Sequence, residues 1–187
     1  MAIKTFSSGE VLTAADTNTY LTNGGLVYLK EQTVASGVPN VLVTSAFNSA
    51  YQNYKIIYTG GFATATTRVQ MRLGIGATMT STNYFGGSYF FNVGTGVWSV
   101  FNDNGTAQAN NAGAGGGGGV YVNMDILQPQ IAANTFFHGV WNQVANGRFG
   151  GMTYEQLSGT QFTSFTLYSE FGNFNGGTIY IYGYRKV

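Results

Sequence analysis

Apolar and polar residues alternate with a period of two along most of the chain, and that period specifies strands. Val69, Met71, Leu73 and Ile75 alternate with Arg68, Gln70, Arg72 and Gly74. Val120, Val122, Met124 and Ile126 alternate with Tyr121, Asn123 and Asp125, and Phe165, Leu167 and Phe171 with Ser164, Thr166, Tyr168 and Glu170. Near the C-terminus Ile179 and Ile181 face one way and Tyr180, Tyr182 and Tyr184 the other. That strand has two apolar faces, so its outer one is expected to be covered. Further strands are expected near 26–33, 41–44, 54–59, 84–92, 97–102, 136–142 and 148–155. Turn signals separate them at Thr59-Gly60-Gly61, Asn102-Asp103-Asn104-Gly105, Asn146-Gly147 and Asn175-Gly176-Gly177. Many short strands with no helical pattern between them predict an all-β fold, an antiparallel β-sandwich or jelly roll. No internal repeat is evident, which excludes a solenoid or propeller.

The first two dozen residues break this pattern. Thr13-Ala14-Ala15-Asp16 matches a helix-capping signal, with Asp16 placed to complement the helix N-terminus. The helix would carry Tyr20 and Leu21 and end at Asn23-Gly24-Gly25. So short a helix is not stable alone and must dock through its small apolar face of Leu12, Ala15, Tyr20 and Leu21. The chain therefore divides into an N-terminal segment, residues 1–24, and a β-domain, residues 25–187.

Composition narrows the function. Only 8% of the 187 residues are charged, against about 25% in an average soluble domain, and the formal net charge is +1. The eight basic residues are scattered, so the basic face that nucleic-acid binding needs is not visible. There is no Cys, which removes disulfides, thiolate metal sites and thiol catalysis. No apolar run is long enough for a membrane span, and no secretory signal core is visible, so synthesis in a cytosol is expected. With 13 Tyr, 14 Phe and 28 Gly, the composition suits sheets whose outer faces are polar but uncharged and partly covered by other copies. The Gly-rich stretch 107–119 reads as a flexible loop or as a passage where backbones approach closely.

Catalytic and cofactor chemistry finds little footing. The Gly run leads into Val120-Tyr121-Val122 without the Lys of a phosphate loop. His138 is the single His and has no metal-ligand spacing around it; Asp125 and Glu155 are conceivable cross-strand neighbours, but no local motif makes a triad. Seven acids, none suggestively paired, give no glycosidase signature. Asn102-Asp103-Asn104-Gly105 is better explained as a turn than as a calcium loop. No cofactor or metal is expected. Trp98, with Asn102 and Asp103 in the 93–104 region, is the candidate for contact with a glycan, aromatic packing being the competing use.

Three segments resemble a known group. Phe6, Gly9, Val11-Leu12, Ala14-x-Asp16-x-Asn18 and Tyr20-Leu21 are similar to a segment of tail, fibre and minor structural proteins of tailed bacteriophages. Asn175-Gly-Gly-Thr-Ile-Tyr-Ile-Tyr-Gly-Tyr-Arg185 resembles the closing strand of phage fibre and virion-surface β-domains, and Phe47–Ile57 an early strand of the same domains. The resemblance implies a non-enzymatic virion protein, homotrimeric, attached by Phe6, Val11, Leu12, Ala15, Asp16, Asn18, Tyr20 and Leu21 to other capsid or tail proteins. It implies a displayed body that could meet a host surface glycan or receptor; polysaccharide depolymerisation occurs in some such proteins. The abrupt passage from Asn23 into a strand favours a short fibre, tip or capsid decoration over a long fibre.

Overall fold

The computed structural model describes residues 8–11, 13, 25–143 and 147–185. The expected helix lies outside the described residues, as do Phe6, Leu12, Ala15, Asp16, Asn18, Tyr20 and Leu21; Val11 is described and is 78% exposed. Among the described residues the chain is all-β, without a helix.

The strands are β1 (Leu26–Thr33), β2 (Asn40–Val43), β3 (Asn53–Thr59), β4 (Phe62–Ala63), β5 (Thr67–Ile75), β6 (Thr78–Met79), β7 (Tyr84–Asn92) and β8 (Val97–Thr106). They continue as β9 (Ala109–Gly116), β10 (Gly119–Leu127), β11 (Thr135–Gln143), β12 (Arg148–Gln156), β13 (Ser164–Ser169), β14 (Phe174–Asn175) and β15 (Thr178–Tyr184). All pairings are antiparallel, and all strands except the small β4–β14 ribbon belong to one large sheet. The sheet folds back on itself at β10, giving a β-sandwich-like body. Residues Gly119–Tyr121 pair with β9, whereas Val122–Leu127 pair with β3 and Asn123–Leu127 with β11. One layer runs β2-β13-β5-β9, and the other β1-β15-β3-β10-β11-β12-β7-β8.

The period-two pattern dictates the core. Val69, Met71 and Leu73 of β5, Val120, Val122, Met124 and Ile126 of β10, and Ile179 and Ile181 of β15 are all buried. Four large phenols, Tyr54, Tyr58, Tyr84 and Tyr154, are fully buried with them. A buried hydroxyl costs free energy unless it is hydrogen-bonded, and each of these is. Tyr54 donates to the Asn48 carbonyl. Tyr58 donates to the Gly176 carbonyl at 2.8 Å. Tyr84 accepts from the Leu73 amide at 2.7 Å, and Tyr154 donates to Asp103 at 2.8 Å. The Tyr84 bond ties β7 in one layer to β5 in the other. Tyrosine can thus fill the core as phenylalanine would while its hydroxyl fixes which strand lies opposite.

The structure corrects three readings. Asn102–Gly105 is not a turn but the continuation of β8, with Asn102, Asp103 and Asn104 opposite Gly87, Gly86 and Phe85. Gly105, at φ 68°, absorbs the register shift between Tyr84 and Phe85, so its left-handed conformation serves a bulge. The Gly-rich stretch is not a flexible loop; most of it is β9, a buried strand. The alternative of close backbone approach holds, since a Cβ at Gly113 would stand 2.6 Å from the Tyr121 carbonyl oxygen. Finally, Ile75 and Phe171 are exposed, while Ser164 and Thr166 are buried beside Phe165 and Leu167. The central strand β13 is covered on both faces, which removes the alternation there.

Gly113→Ala should lower the free energy of unfolding by about 1–3 kcal/mol, because the clash is with backbone and not with a movable side-chain tip; denaturant titration reads it. The fold should also be alkali-labile. Burial pushes Tyr58 and Tyr184 up to about 12 and Tyr84 and Tyr154 up as well, so in the folded state these phenols hold their protons beyond the ordinary tyrosine range. Their contribution is fully present below about pH 10, where the unfolded chain also keeps its phenol protons, and is lost as pH rises above that towards 12. Melting temperature should therefore stay flat through neutral pH and fall steeply above about pH 10.

Candidate functional site

The outer face of the larger layer carries the most distinctive surface. Antiparallel register lines up outward residues from neighbouring strands in three parallel rows. The first is aromatic: Asn142, Phe149, Phe91 and Trp98 are successive cross-strand partners on β11, β12, β7 and β8. Phe91 stands 5.6 Å from Phe149 and 5.4 Å from Trp98, measured between ring centroids. The second row runs Asn123, Val140, Gly151, Tyr89, Val100. The third is polar: Lys55, Asp125, His138, Thr153, Gly87, Asn102.

The middle row dips at Gly151. A Cβ there would meet the Tyr89 ring, 2.8 Å from its hydroxyl, so the absent side chain allows Tyr89 to lie over the sheet. Two adjoining hollows follow. One, of about 510 Å³, is walled by Trp98, Tyr89, Tyr121 and Phe149 with Asn123 and Asn142. The other, of about 320 Å³, is bordered by Lys55, Asp125, His138 and Thr153. Tyr89, Asn123 and Val140 line both, so the two form one trough with an aromatic wall and a polar wall.

The polar wall is organised around Asp125. The Tyr184 hydroxyl donates to its Oδ1 at 2.5 Å, and Lys55 Nζ reaches the same oxygen at 3.5 Å. His138 Nε2 lies 3.4 Å from Oδ2. Burial and then the hydrogen bond to Asp125 hold the Tyr184 phenol up at about 12. The ion pair is partly exposed and adds little stability; its effect is to fix the carboxylate against the sheet.

The glycan candidates separate. Trp98 is 60% exposed and forms part of the aromatic wall. Asn102 is exposed at the end of the polar row. Asp103 points the other way, where it accepts from the Tyr154 hydroxyl at 2.8 Å and from Asn110 Nδ2 at 2.7 Å. It therefore braces the interior and makes no part of the trough. The signals for Trp98 and Asn102 came from composition on a strand taken to be shorter than it is. Tyr121, Asn123 and Asp125 were already visible as the polar phase of β10. His138 is the expected cross-strand neighbour of Asp125, whereas Tyr89 and Phe149 join them only through cross-strand register, which leaves no mark in the sequence.

Asp125 and His138 are cross-strand partners, but Glu155 stands opposite Phe136 and Phe85. Asp103, Asp125 and Glu170 each have their own set of partners, Glu170 being paired with Arg68. Among the described residues there is no group of three or more His, Cys, Asp or Glu able to hold a metal ion. No protein family, curated protein or solved structure matches the chain.

Asp125→Asn should move the Tyr184 titration down from about 12, and only part of the way, because burial is the larger cause. An NMR titration of ring-labelled tyrosine reads the shift.

Proposed function

We propose that the chain is a non-enzymatic structural protein of a tailed-phage virion, a homotrimer attached through residues 1–24 and displaying the β-domain as a jelly-roll-like sandwich. A short tail fibre, a tip or a capsid decoration fits this description, with the protein made in the host cytoplasm and carried on the particle. Its partners are other copies of itself and the capsid or tail proteins that receive the N-terminal segment.

The observation that carries the assembly part of this reading is the edge strand β8. Sheet edges offer unpaired amides and carbonyls, and monomeric proteins guard them with charges, bulges or brevity. Among the described residues, β1 pairs only with β15, and it carries Lys30, Glu31 and a bulge between Tyr28 and Lys30. Strand β2 has four residues and β6 two. Strand β8 pairs only with β7, is ten residues long, and contains no Lys, Arg or Pro. Its one charge, Asp103, is turned inward and its bulge lies at Gly105, so the run from Val97 to Asn102 has neither, and Val97, Trp98 and Val100 on it are exposed. A six-residue run of edge without charge or bulge, in a chain with 8% charged residues, suits a component whose edge is covered in an assembly. In a trimer the contact is heterologous, so β8 meets a different surface of the next copy; two β8 strands meeting each other would give a twofold dimer instead.

Mass photometry of the full chain should give the mass of three copies. A monomer at micromolar concentration overturns self-assembly, and a dimer overturns the threefold arrangement. Val97→Lys, at a position 54% exposed and outside the three rows of the outer face, should shift the population towards monomer while changing the stability of the isolated fold by no more than about 0.5 kcal/mol. Density around residues 1–24 in an intact particle tests the attachment.

A further inference from the structure

We propose that the trough on the outer face of the larger layer binds an uncharged oligosaccharide, with Trp98 and Tyr89 stacking on sugar rings and Asn123, His138 and Thr153 bonding to hydroxyls. The proposal rests on the chemistry of that face and stands whether or not the protein belongs to a virion.

The two walls match the two chemistries of a pyranose. Sugar rings present an apolar C–H face and a rim of hydroxyls. The aromatic wall offers a stacking surface of the right kind, since Trp and Tyr combine large apolar area with little conformational freedom to lose. The polar row, four residues further along each strand, offers amide, imidazole and hydroxyl groups, which can both donate and accept as sugar hydroxyls do. A chain of sugar rings lying along the middle row touches both walls at once. The two hollows, about 320 and 510 Å³, fall in the size range of small-molecule sites and adjoin, so they accommodate more than one ring.

Charge selects the class. Among the described residues the trough contains one carboxylate, Asp125, already engaged by Tyr184 and Lys55 and facing His138. The charge of Lys55 is thereby balanced by a partner, and among the described residues no other Lys or Arg lines either hollow. A sulfated or carboxylated glycan would find no free cation to repay its desolvation. Trough residues come from β3, β7, β8, β10, β11 and β12, so rigid hydrogen-bonded strands place both walls before a ligand arrives. Preorganisation of this kind reduces the ordering cost of binding a flexible chain.

The test is a glycan array with the full-length protein, followed by calorimetric titration of the best neutral oligosaccharide. Binding to neutral glycans is expected, with Trp98→Ala weakening it about tenfold or more. Gly151→Ala should also weaken it, because the new Cβ displaces the Tyr89 ring, a movable side chain, and leaves the backbone in place. Phe62→Ser, on the β4–β14 ribbon outside the trough, is the control and should bind normally. Melting curves show whether the variants are folded. No array signal, binding confined to acidic glycans, or unchanged affinity in folded Trp98→Ala and Gly151→Ala each overturns the proposal. A chain that assembles but binds no sugar overturns this site alone and leaves the assembly reading untouched.

Discussion

The architecture depends on the change of partners along β10. Its first residues hydrogen-bond to β9 and the remainder to β3 and β11, so a single strand belongs to both layers. The spatial relation of the layers is thereby set by backbone hydrogen bonds as well as by packing. The corner requires two neighbouring strands to approach where a side chain would obstruct them, and Gly113 and Gly115 supply that space. Val120 and Val122 on either side of the corner remain buried, so the core is continuous across it.

Tyrosine does in this protein what charged pairs and extra apolar bulk do separately in others. Its ring fills the interior, and its hydroxyl specifies a neighbour. The bond between Tyr84 and the Leu73 amide distinguishes one placement of the layers from another that would bury the same area. A similar bond from Tyr154 to Asp103 holds β8 to β12 through a carboxylate that could otherwise not be half-buried. With so few ion pairs available, hydrogen bonds from tyrosine hydroxyls carry much of the specificity of the fold. The outer face follows the same economy, using rings and amides where most sheets use lysine and glutamate.

How much of this was legible in the sequence depends on the strand. For β5, β10 and β15, alternation on one buried face survives in the sequence, and the expected strands match closely. For β13, burial on both faces erases alternation, and Phe171 was assigned to a core it does not enter. For β8, Asn-Asp-Asn-Gly spelled a turn because those residues favour turns locally; glycines opposite and the capture of Asp103 by Tyr154 and Asn110 overrode that preference. For β9, glycine content suggested flexibility, whereas the same absence of side chains permits a crowded buried strand. The trough was legible only in fragments. Composition marks Trp98 and Asn102, alternation marks Asn123 and Asp125 with His138 as a conceivable neighbour, and register alone brings Tyr89 and Phe149 beside them.

One further consequence lies in β1 and β15. They pair along their whole length from Leu26 opposite Tyr184 to Thr33 opposite Thr178, and the Arg185 amide reaches the Gly25 carbonyl at 3.0 Å. The two ends of the described body thus leave it side by side. A force entering through residue 25 is carried first by this edge ladder, which holds β1 to the sheet along one side only. Pulled apart from the adjoining ends, the two strands would separate one hydrogen bond at a time, whereas a pull along β1 against the rest of the body would load the ladder in shear, all its bonds together. Mechanical resistance at that end of the molecule is therefore set by the direction of the tether more than by the size of the core.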